Sequence, residues 1–254
     1  MHFFGIVIFT ITLFSSTCFG QIVLIDPGHG GEDCGAKGKK FIKNRGVRKI
    51  ITVCEKELTL KFSKVIQKKL NRKYKAYLTR SFDRTLSLED RAHMVQKLKA
   101  DIFISVHFNS STSKKSNGFE TFYLSNHDDV AVKRLEKVEN KNAGGKEVMV
   151  QKILADLVID LTAPKSKDLA TYIHKELKNK MNKKYHMRNR GIRPAIFYVL
   201  ALSKVPSILL EPGFLSNEKE TKKILNKKFL DYYAEGIYQG VDKYFSSKSP
   251  IPLF

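Results

Sequence analysis

Short apolar runs alternate with helical patterns along most of the chain. The first run, at residues 22–25, stops at Pro27-Gly28, and the later runs are also bounded by turn residues. Between the runs, apolar residues recur every three or four positions, with lysines on the opposite helix face. Because helices separate the strands, the pattern predicts a single α/β domain whose mainly parallel, twisted sheet is flanked by helices.

The same hydrophobic pattern predicts the individual strands and helices. Further strands are predicted at residues 50–53, 76–79, 101–106, 119–124, 195–200 and 205–210. Helices are predicted at residues 58–70, 88–98, 169–177 and 232–245, the second of them opening with a capping box formed by Ser87 and Asp90.

Residues 127–167 interrupt the alternation of strands and helices, because they contain no candidate strand. A weakly amphipathic helix is predicted at 129–140, followed by Gly144-Gly145 and by a helix at 148–161 that is apolar on two sides. We therefore expect a helical insertion at 127–167 within one domain that covers residues 21–254. Its second helix would expose an apolar stripe of the kind that marks an interface.

The first twenty residues are expected to be a signal peptide rather than part of the fold. Phe3 to Phe14 is almost entirely apolar, and small and polar residues follow up to Gly20. The run is too short for a membrane span of about 20 residues. The prediction is therefore cleavage near Gly20–Gln21, export to the periplasm or the cell wall and exterior, and no stable membrane span afterwards.

Composition narrows the candidate functions. The chain has 254 residues, is 42% hydrophobic and carries a formal net charge of +21. A chain this apolar can bury a core, which excludes an intrinsically disordered tail. The charge points to an anionic partner, namely nucleic acid, an acidic membrane or an anionic polymer, unless the dispersed lysines simply solvate helix faces.

Candidate catalytic residues follow three of the predicted strands. His29, His107 and Glu211 each come at or just after a strand's carboxyl end, and Glu55 opens the first long helix at the same edge. Two imidazoles and one carboxylate are the ligand set of a catalytic zinc hydrolase, and a second carboxylate can accept a proton from water. Taken singly, each residue has a structural alternative: Glu55 as an acid favoured at a helix N-terminus, and Glu211 as an ion-pair partner.

The remaining histidines and the cysteines give weaker signals. His93, His174 and His186 are expected to face solvent. The mature chain would keep Cys34 and Cys54, and the sequence leaves open whether they pair.

Six ordered motifs resemble the zinc-dependent N-acetylmuramoyl-L-alanine amidases of the type 3 family, and they extend over essentially the whole mature chain. They are Ile25-Asp-Pro-Gly-His-Gly-Gly-Glu-Asp33, Cys54-Glu-Lys-Glu-Leu58, Thr79-Arg80 with Leu88 and Arg91, Ala100-Asp-Ile-Phe-Ile-Ser-Val-His-Phe-Asn109, Gly118-Phe-Glu-Thr-Phe-Tyr123, and Pro206-Ser-Ile-Leu-Leu-Glu-Pro-Gly-Phe-Leu-Ser-Asn217. Arg190-Gly-Ile-Arg-Pro-Ala195 also matches the family pattern.

The resemblance implies a reaction and assigns roles to residues. His29, Glu55 and His107 would be ligands of Zn2+, and Glu211 would be the catalytic carboxylate. The substrate would be peptidoglycan, and the bond cut would join N-acetylmuramic acid to L-alanine. Such an enzyme would serve wall remodelling or daughter-cell separation.

Two departures from the family pattern lie between His29 and Glu55. Cys34 stands where proline is usual, and could act as an adventitious ligand or a redox-sensitive thiol. Residues 37–53 are longer and more basic than the usual link, and could line the glycan groove or form a solvated loop.

The insertion suggests regulation. Residues 130–140 resemble the helix that plugs the active site in cell-division amidases, in which a glutamate occupies the zinc until an activator protein withdraws it. Glu139 is the candidate autoinhibitory residue and Glu136 the alternative, and the apolar helix of 127–167 would dock the activator. A pair of ordinary packing helices is the alternative interpretation.

Two function classes remain. The first is an exported zinc amidase, and the second is a catalytically idle, basic peptidoglycan-binding protein on the same fold. The presence of all four candidate residues favours the enzyme. No nucleic-acid partner is expected, because the chain carries a secretion signal and no aromatic–basic recognition motif.

Overall fold

A computed structural model describes residues 20–44, 47–141 and 145–248. Nearly all of the predicted signal peptide lies outside these ranges. The strands are β1 (Ile22–Pro27), β2 (Lys37–Asn44), β3 (Val47–Cys54), β4 (Lys75–Leu78), β5 (Ile102–Val106), β6 (Phe119–Leu124), β7 (Asn189–Ala195) and β8 (Ser207–Glu211). The helices are α1 (Glu55–Leu70), α2 (Leu88–Leu98), α3 (Val130–Glu139), α4 (Gly145–Tyr185), α5 (Tyr198–Ser203), α6 (Glu218–Ile224) and α7 (Lys227–Lys248).

Six strands form the central sheet in the order β4-β1-β5-β8-β6-β7. Neighbouring strands pair in parallel except β6 and β8, which are antiparallel. The predicted α/β class with a mainly parallel sheet is therefore confirmed. The parallel arrangement matters for function, because the carboxyl ends of β1, β5 and β8 meet at one edge.

Both faces of the sheet are covered by helices. Ile25 points into a core shared with α1, α4 and α7, whereas its neighbour Leu24 points into a second core shared with α2 and α5. This alternation is the two-residue period of a strand, and burial on both faces explains why the central strands are continuous apolar runs. Ser87 and Asp90 form the predicted capping box at the start of α2.

Three local predictions were wrong. The expected strand at 195–200 ends at Ala195, and the apolar residues beyond it form α5 instead. A short apolar run does not distinguish a buried strand from a buried helix, which explains the error. Residues 37–53, expected to contain only one short strand, form most of an antiparallel hairpin of β2 and β3.

The third error concerns helix length. The helices predicted at 148–161 and 169–177 are parts of the single 41-residue helix α4, which passes through Pro164 without ending. One helix therefore links the predicted insertion to the core, where Leu169, Ile173 and Leu177 are fully buried. Within the described ranges, no helix is both long and apolar enough to cross a membrane.

Candidate active site

The carboxyl edge of the sheet brings the four sequence-predicted site residues into one buried pocket. His29 lies in the loop after β1, His107 directly follows β5, and Glu211 is the last residue of β8. Glu55 is the first residue of α1, where the helix dipole favours a negative charge. All four side chains are at least nine-tenths buried.

The ring nitrogens of the two histidines face a common space. His29 Nε2 lies 3.1 Å from Glu55 Oε2, and His107 Nδ1 lies 3.3 Å from Glu55 Oε1. Glu139, from α3, enters the same space: its Oε2 atom is 2.9 Å from His107 Nδ1 and 3.7 Å from His29 Nε2. The two imidazoles are in edge-to-face contact, with ring centroids 4.8 Å apart.

The donor set of this space suits a zinc ion. His29 Nε2 and His107 Nδ1 are buried and make no hydrogen bond of acceptable geometry with any described residue. One ligand atom from each of His29, His107 and Glu139 lies within 4.8 Å of the other two. Imidazole nitrogens and carboxylate oxygens are the ligands of catalytic zinc, so the residues present fit the metal.

Neighbouring groups orient His29 and Glu55. Asp33 Oδ2 lies 2.9 Å from His29 Nδ1, which directs Nε2 toward the shared space. Glu55 Oε1 accepts a hydrogen bond from the Phe108 backbone N–H, and Glu55 Oε2 accepts one from Ala36 N–H, each at 2.7 Å. Sequence reasoning missed Asp33, although its carboxylate four residues after His29 was the available signal.

The electrostatics of the pocket favour a positive charge. Burial lowers the pKa of His29, but the charge of Glu55 and the hydrogen bond with Asp33 outweigh burial and raise the pKa to about 9. Burial likewise lowers the pKa of His107, and the charge of Glu139 overcomes it to give about 10. Carboxylates facing both rings therefore create a field that attracts a cation, either a proton or a metal ion.

Glu211 has a different environment. Its side chain is 1% exposed, and neither carboxylate oxygen has a hydrogen-bond partner among the described residues. Burial raises its pKa well above the usual value, and the nearby charges of Glu55 and Glu139 raise it further. A raised pKa makes the carboxylate a stronger base, which suits a group that takes up and returns a proton during a reaction.

A buried polar network supports the loop that carries His29. Asp26 accepts hydrogen bonds from Thr79 Oγ1 and Arg91 Nη1, each at 2.6 Å. Arg91 also donates to the His29 carbonyl, and Arg80 donates to the Gly28 carbonyl. The sequence motifs contained these residues, but this bracing role depends on contacts made across the fold.

Helix α3 is fastened over the pocket at several points. Its N-cap residue Asp129 forms an ion pair with Arg193. At the other end, the Asn140 side chain donates a hydrogen bond to the Ile196 carbonyl and accepts one from the Tyr198 backbone N–H. Glu136 does not reach the imidazoles of His29 and His107; it contacts the His127 ring and the Ile196 N–H. The structure therefore brings Glu139 to the pocket and leaves Glu136 outside it.

Cys34 and Cys54 are joined by a disulfide bond across 20 residues. The hypothesis of a free, redox-sensitive or metal-binding thiol at Cys34 is therefore wrong, because its sulfur is already bonded. Cys34 directly follows Asp33, and Cys54 directly precedes Glu55, so the bond ties the loop that carries His29 and Asp33 to the start of α1.

The prediction that three histidines face solvent was correct for His93 and His186 and wrong for His174. His174 is buried in α4, where its ring nitrogens lie 2.9 Å from Thr121 Oγ1 and 2.8 Å from Asn189 Oδ1. Burial lowers the pKa of His174, so it packs as a neutral core residue. The neighbouring Lys175 and Lys178 are exposed, unlike His174 itself.

An open groove of about 580 Å³ leads away from the pocket. Glu120 on its floor is buried and pairs with Arg190 and Arg193. Ser111 and Thr112 line its side, and Phe214 lies under the Arg190 guanidinium. The groove provides both polar and aromatic surface for a substrate whose reacting bond reaches the pocket.

Comparison with known proteins identifies similar chains. Residues 23–243 match the family of N-acetylmuramoyl-L-alanine amidases. The chain is 34% identical over 235 residues to the amidase AmiA of Escherichia coli K12, an alignment covering 89% of this chain and 76% of AmiA. It is 32% identical over 238 residues to AmiC of Escherichia coli O6:H1, covering 89% of this chain and 53% of AmiC.

Solved structures show the same fold. An N-acetylmuramoyl-L-alanine amidase from Clostridium difficile 630 is 29% identical to this chain and superposes with a TM-score of 0.65. The match covers 91% of this chain and 100% of the amidase. The CwlD amidase of Clostridioides difficile, solved in complex with the GerS lipoprotein, is 25% identical, also with a TM-score of 0.65, covering 90% of this chain and 100% of that one.

Proposed function

The chain belongs to the N-acetylmuramoyl-L-alanine amidase family, whose members are hydrolases, and we propose that it is an exported zinc enzyme. Its reaction is hydrolysis of the amide between N-acetylmuramic acid and L-alanine in peptidoglycan. The observation that carries this proposal is the buried cluster of His29, His107, Glu55 and Glu211 at one sheet edge. An idle binding protein would have no use for a buried carboxyl group without a hydrogen-bond partner at that position.

His29, Glu55 and His107 would hold the zinc ion. When bound there, zinc would polarise the amide carbonyl and activate a water molecule for attack. Asp33 keeps the His29 ring turned so that Nε2 faces the ion. The backbone N–H groups of Ala36 and Phe108 fix the plane of the Glu55 carboxylate.

Glu211 would move the proton of the reaction. In its ionised form its carboxylate would accept one proton from the attacking water, and the raised pKa makes it a stronger base for that step. The leaving amine of L-alanine would take the same proton as the amide bond breaks, which returns Glu211 to its ionised form. The second proton of the water stays on the new carboxyl group, which ionises to solvent.

The test is Glu211→Gln, assayed by dye release from labelled peptidoglycan. General acid–base catalysis contributes about 10²- to 10⁴-fold, so we expect the rate to fall by that factor while zinc content stays unchanged. Exposed Glu57, on the same helix turn as Glu55, supplies the matched control Glu57→Gln, which should release dye normally. His107→Ala should lose both zinc and activity. Unchanged release by Glu211→Gln would remove Glu211 from the mechanism.

Export is part of the proposal, because the substrate lies outside the cytoplasm. The predicted signal peptide at 1–20 supports it, and the compartment would be the periplasm or the cell wall and exterior. The cellular role would be wall remodelling or daughter-cell separation. N-terminal sequencing of the exported protein should begin at Gln21, and a mature chain that still began at Met1 would contradict signal cleavage.

Glu139 would be an autoinhibitory residue. Its carboxylate contacts His107 at 2.9 Å, and α3 is fastened over the pocket by Asp129 and Asn140. A carboxylate in that position competes with substrate and water for the metal. An activator protein docking on 127–167 would withdraw α3, and the complex of the CwlD amidase with GerS supports a protein partner.

We expect Glu139→Gln to raise the basal rate of peptidoglycan hydrolysis several-fold, because its neutral amide binds zinc more weakly than a carboxylate. Lys137→Gln, on the exposed side of α3, is the control and should leave the rate unchanged. If Glu139→Gln retains one zinc per chain and hydrolyses peptidoglycan no faster than the wild type, the carboxylate does not inhibit.

A further inference from the structure

A second, larger groove of about 860 Å³ lies beyond the candidate active site. It is bounded by the hairpin strand β2, the loop at 111–117, the segment before β7 and the start of α6. We call it the basic groove, because seven of its lining residues are cations: Lys37, Lys39, Lys114, Lys115, Arg188, Lys219 and Lys223.

These seven cations make no ion pair with any residue that the structure describes, although other lysines and arginines on the surface do. Lys223 is half-buried and donates a hydrogen bond to the Tyr185 carbonyl, and the other six are exposed. Of the two acidic residues that line the groove, Glu220 is buried and accepts backbone hydrogen bonds from Gly118 and Phe214, and Glu218 is exposed. The groove therefore presents a concentrated positive field that the protein itself does not neutralise.

The hairpin positions its charges in a regular way. Lys37, Lys39 and Phe41 alternate along β2 and line the groove together, as residues two apart on a strand share one face. Phe41 is 46% exposed, which adds an apolar surface beside the charges. Repeated cations along one wall suit an extended anionic chain better than a single small anion.

The basic groove continues the active-site groove, because Ser111 and Thr112 line both. A polymer whose amide bond reaches the pocket would therefore extend into the basic groove. We propose that the basic groove binds the carboxylates of neighbouring peptide stems on the same peptidoglycan strand. This inference rests on the proposed function. It gives the longer and more basic segment at 37–53 a role, which is to hold polymeric substrate.

The test compares two variants with equal loss of charge. The groove variant carries Lys37→Gln, Lys39→Gln, Lys114→Gln and Lys115→Gln. The control carries Lys61→Gln, Lys64→Gln, Lys68→Gln and Lys175→Gln, at exposed helix positions outside both grooves. Both are made in a Glu211→Gln background, so that sacculi stay intact, and sacculus binding is measured by cosedimentation at low salt.

We expect the groove variant to bind sacculi about tenfold more weakly, since it loses four exposed charge contacts that each contribute a small factor. The control should lose less than twofold. If both variants lost sacculus binding equally, binding would depend on net charge alone. If neither lost binding, the groove would not bind stem carboxylates. Either result overturns the proposal.

Chemically modified sacculi identify the anion. Converting the stem carboxylates to neutral amides should abolish the difference between groove variant and control, whereas stripping phosphate-bearing accessory polymers should leave it intact. The reverse pattern would assign the groove to phosphate and overturn the carboxylate proposal. Because binding is measured without turnover, these results stand even if wild-type protein releases no peptide, the outcome that would contradict the proposed function.

Discussion

Gly28 shows how closely the backbone approaches His107, one of the proposed metal ligands. A Cβ atom at this position would lie 2.4 Å from the His107 ring, closer than real Cβ contacts come. We expect Gly28→Ala to displace the ring and remove most of the bound zinc. Zinc per folded chain, measured by atomic absorption after gel filtration, checks the prediction.

The control variant separates displacement of the His107 ring from the loss of stability that replacing a glycine causes in general. Gly191 has φ of +87° and nothing within 4 Å of an added Cβ, so Gly191→Ala introduces strain but no clash. We expect Gly191→Ala to lower the unfolding free energy by about 1 kcal/mol and to keep its zinc. A full zinc complement in Gly28→Ala would show that the loop can move aside.

At the scale of elements, the disulfide joins two segments that each carry a proposed ligand. Replacing both Cys34 and Cys54 by alanine removes a cross-link that closes a loop of 20 residues. Chain entropy then predicts a loss of about 3 kcal/mol in unfolding free energy. Urea denaturation of the oxidised wild type and the double variant measures this loss.

The disulfide also constrains the site, so metal affinity is a second measurement. Ala36, close behind Cys34, accepts a backbone hydrogen bond from Glu55 and donates another to its carboxylate. We expect the double variant to bind zinc more weakly, and the reduced wild type to behave in the same way. Equal unfolding free energies in variant and wild type would mean that the hairpin holds this corner without the bond.

The element scale also separates what the sequence predicts from what it does not. The carboxyl ends of β1, β5 and β8 were predictable, because buried parallel strands are local apolar runs that stop at turn residues. The pairing of β2 with β3, the continuity of α4 through Pro164 and the burial of His174 were not, because each depends on contacts distant in the chain. The meeting of Cys34 and Cys54 also depends on the folded hairpin.

At the scale of the whole molecule, the net charge of +21 should have two opposite effects when salt is added. Like charges on a compact body repel one another and destabilise the folded state, so screening should raise Tm. The same screening should weaken adhesion to anionic sacculi. Thermal unfolding and cosedimentation across roughly 20 to 300 mM NaCl measure both trends, over which the Debye length falls several-fold.

Surface ion pairs oppose the first trend, which makes the sign of the Tm change informative. Lys69 of α1 pairs with Asp231 of α7, and Arg72, just after α1, pairs with Glu235 of α7, each at 3.0 Å; salt weakens such contacts. Exposed pairs contribute only about 0.2–1 kcal/mol each, whereas the excess of positive charge acts over the entire surface. We therefore expect net repulsion to dominate and Tm to rise. A Tm that fell with added NaCl would mean that the α1–α7 pairs outweigh the repulsion, and that wall adhesion carries no cost in stability.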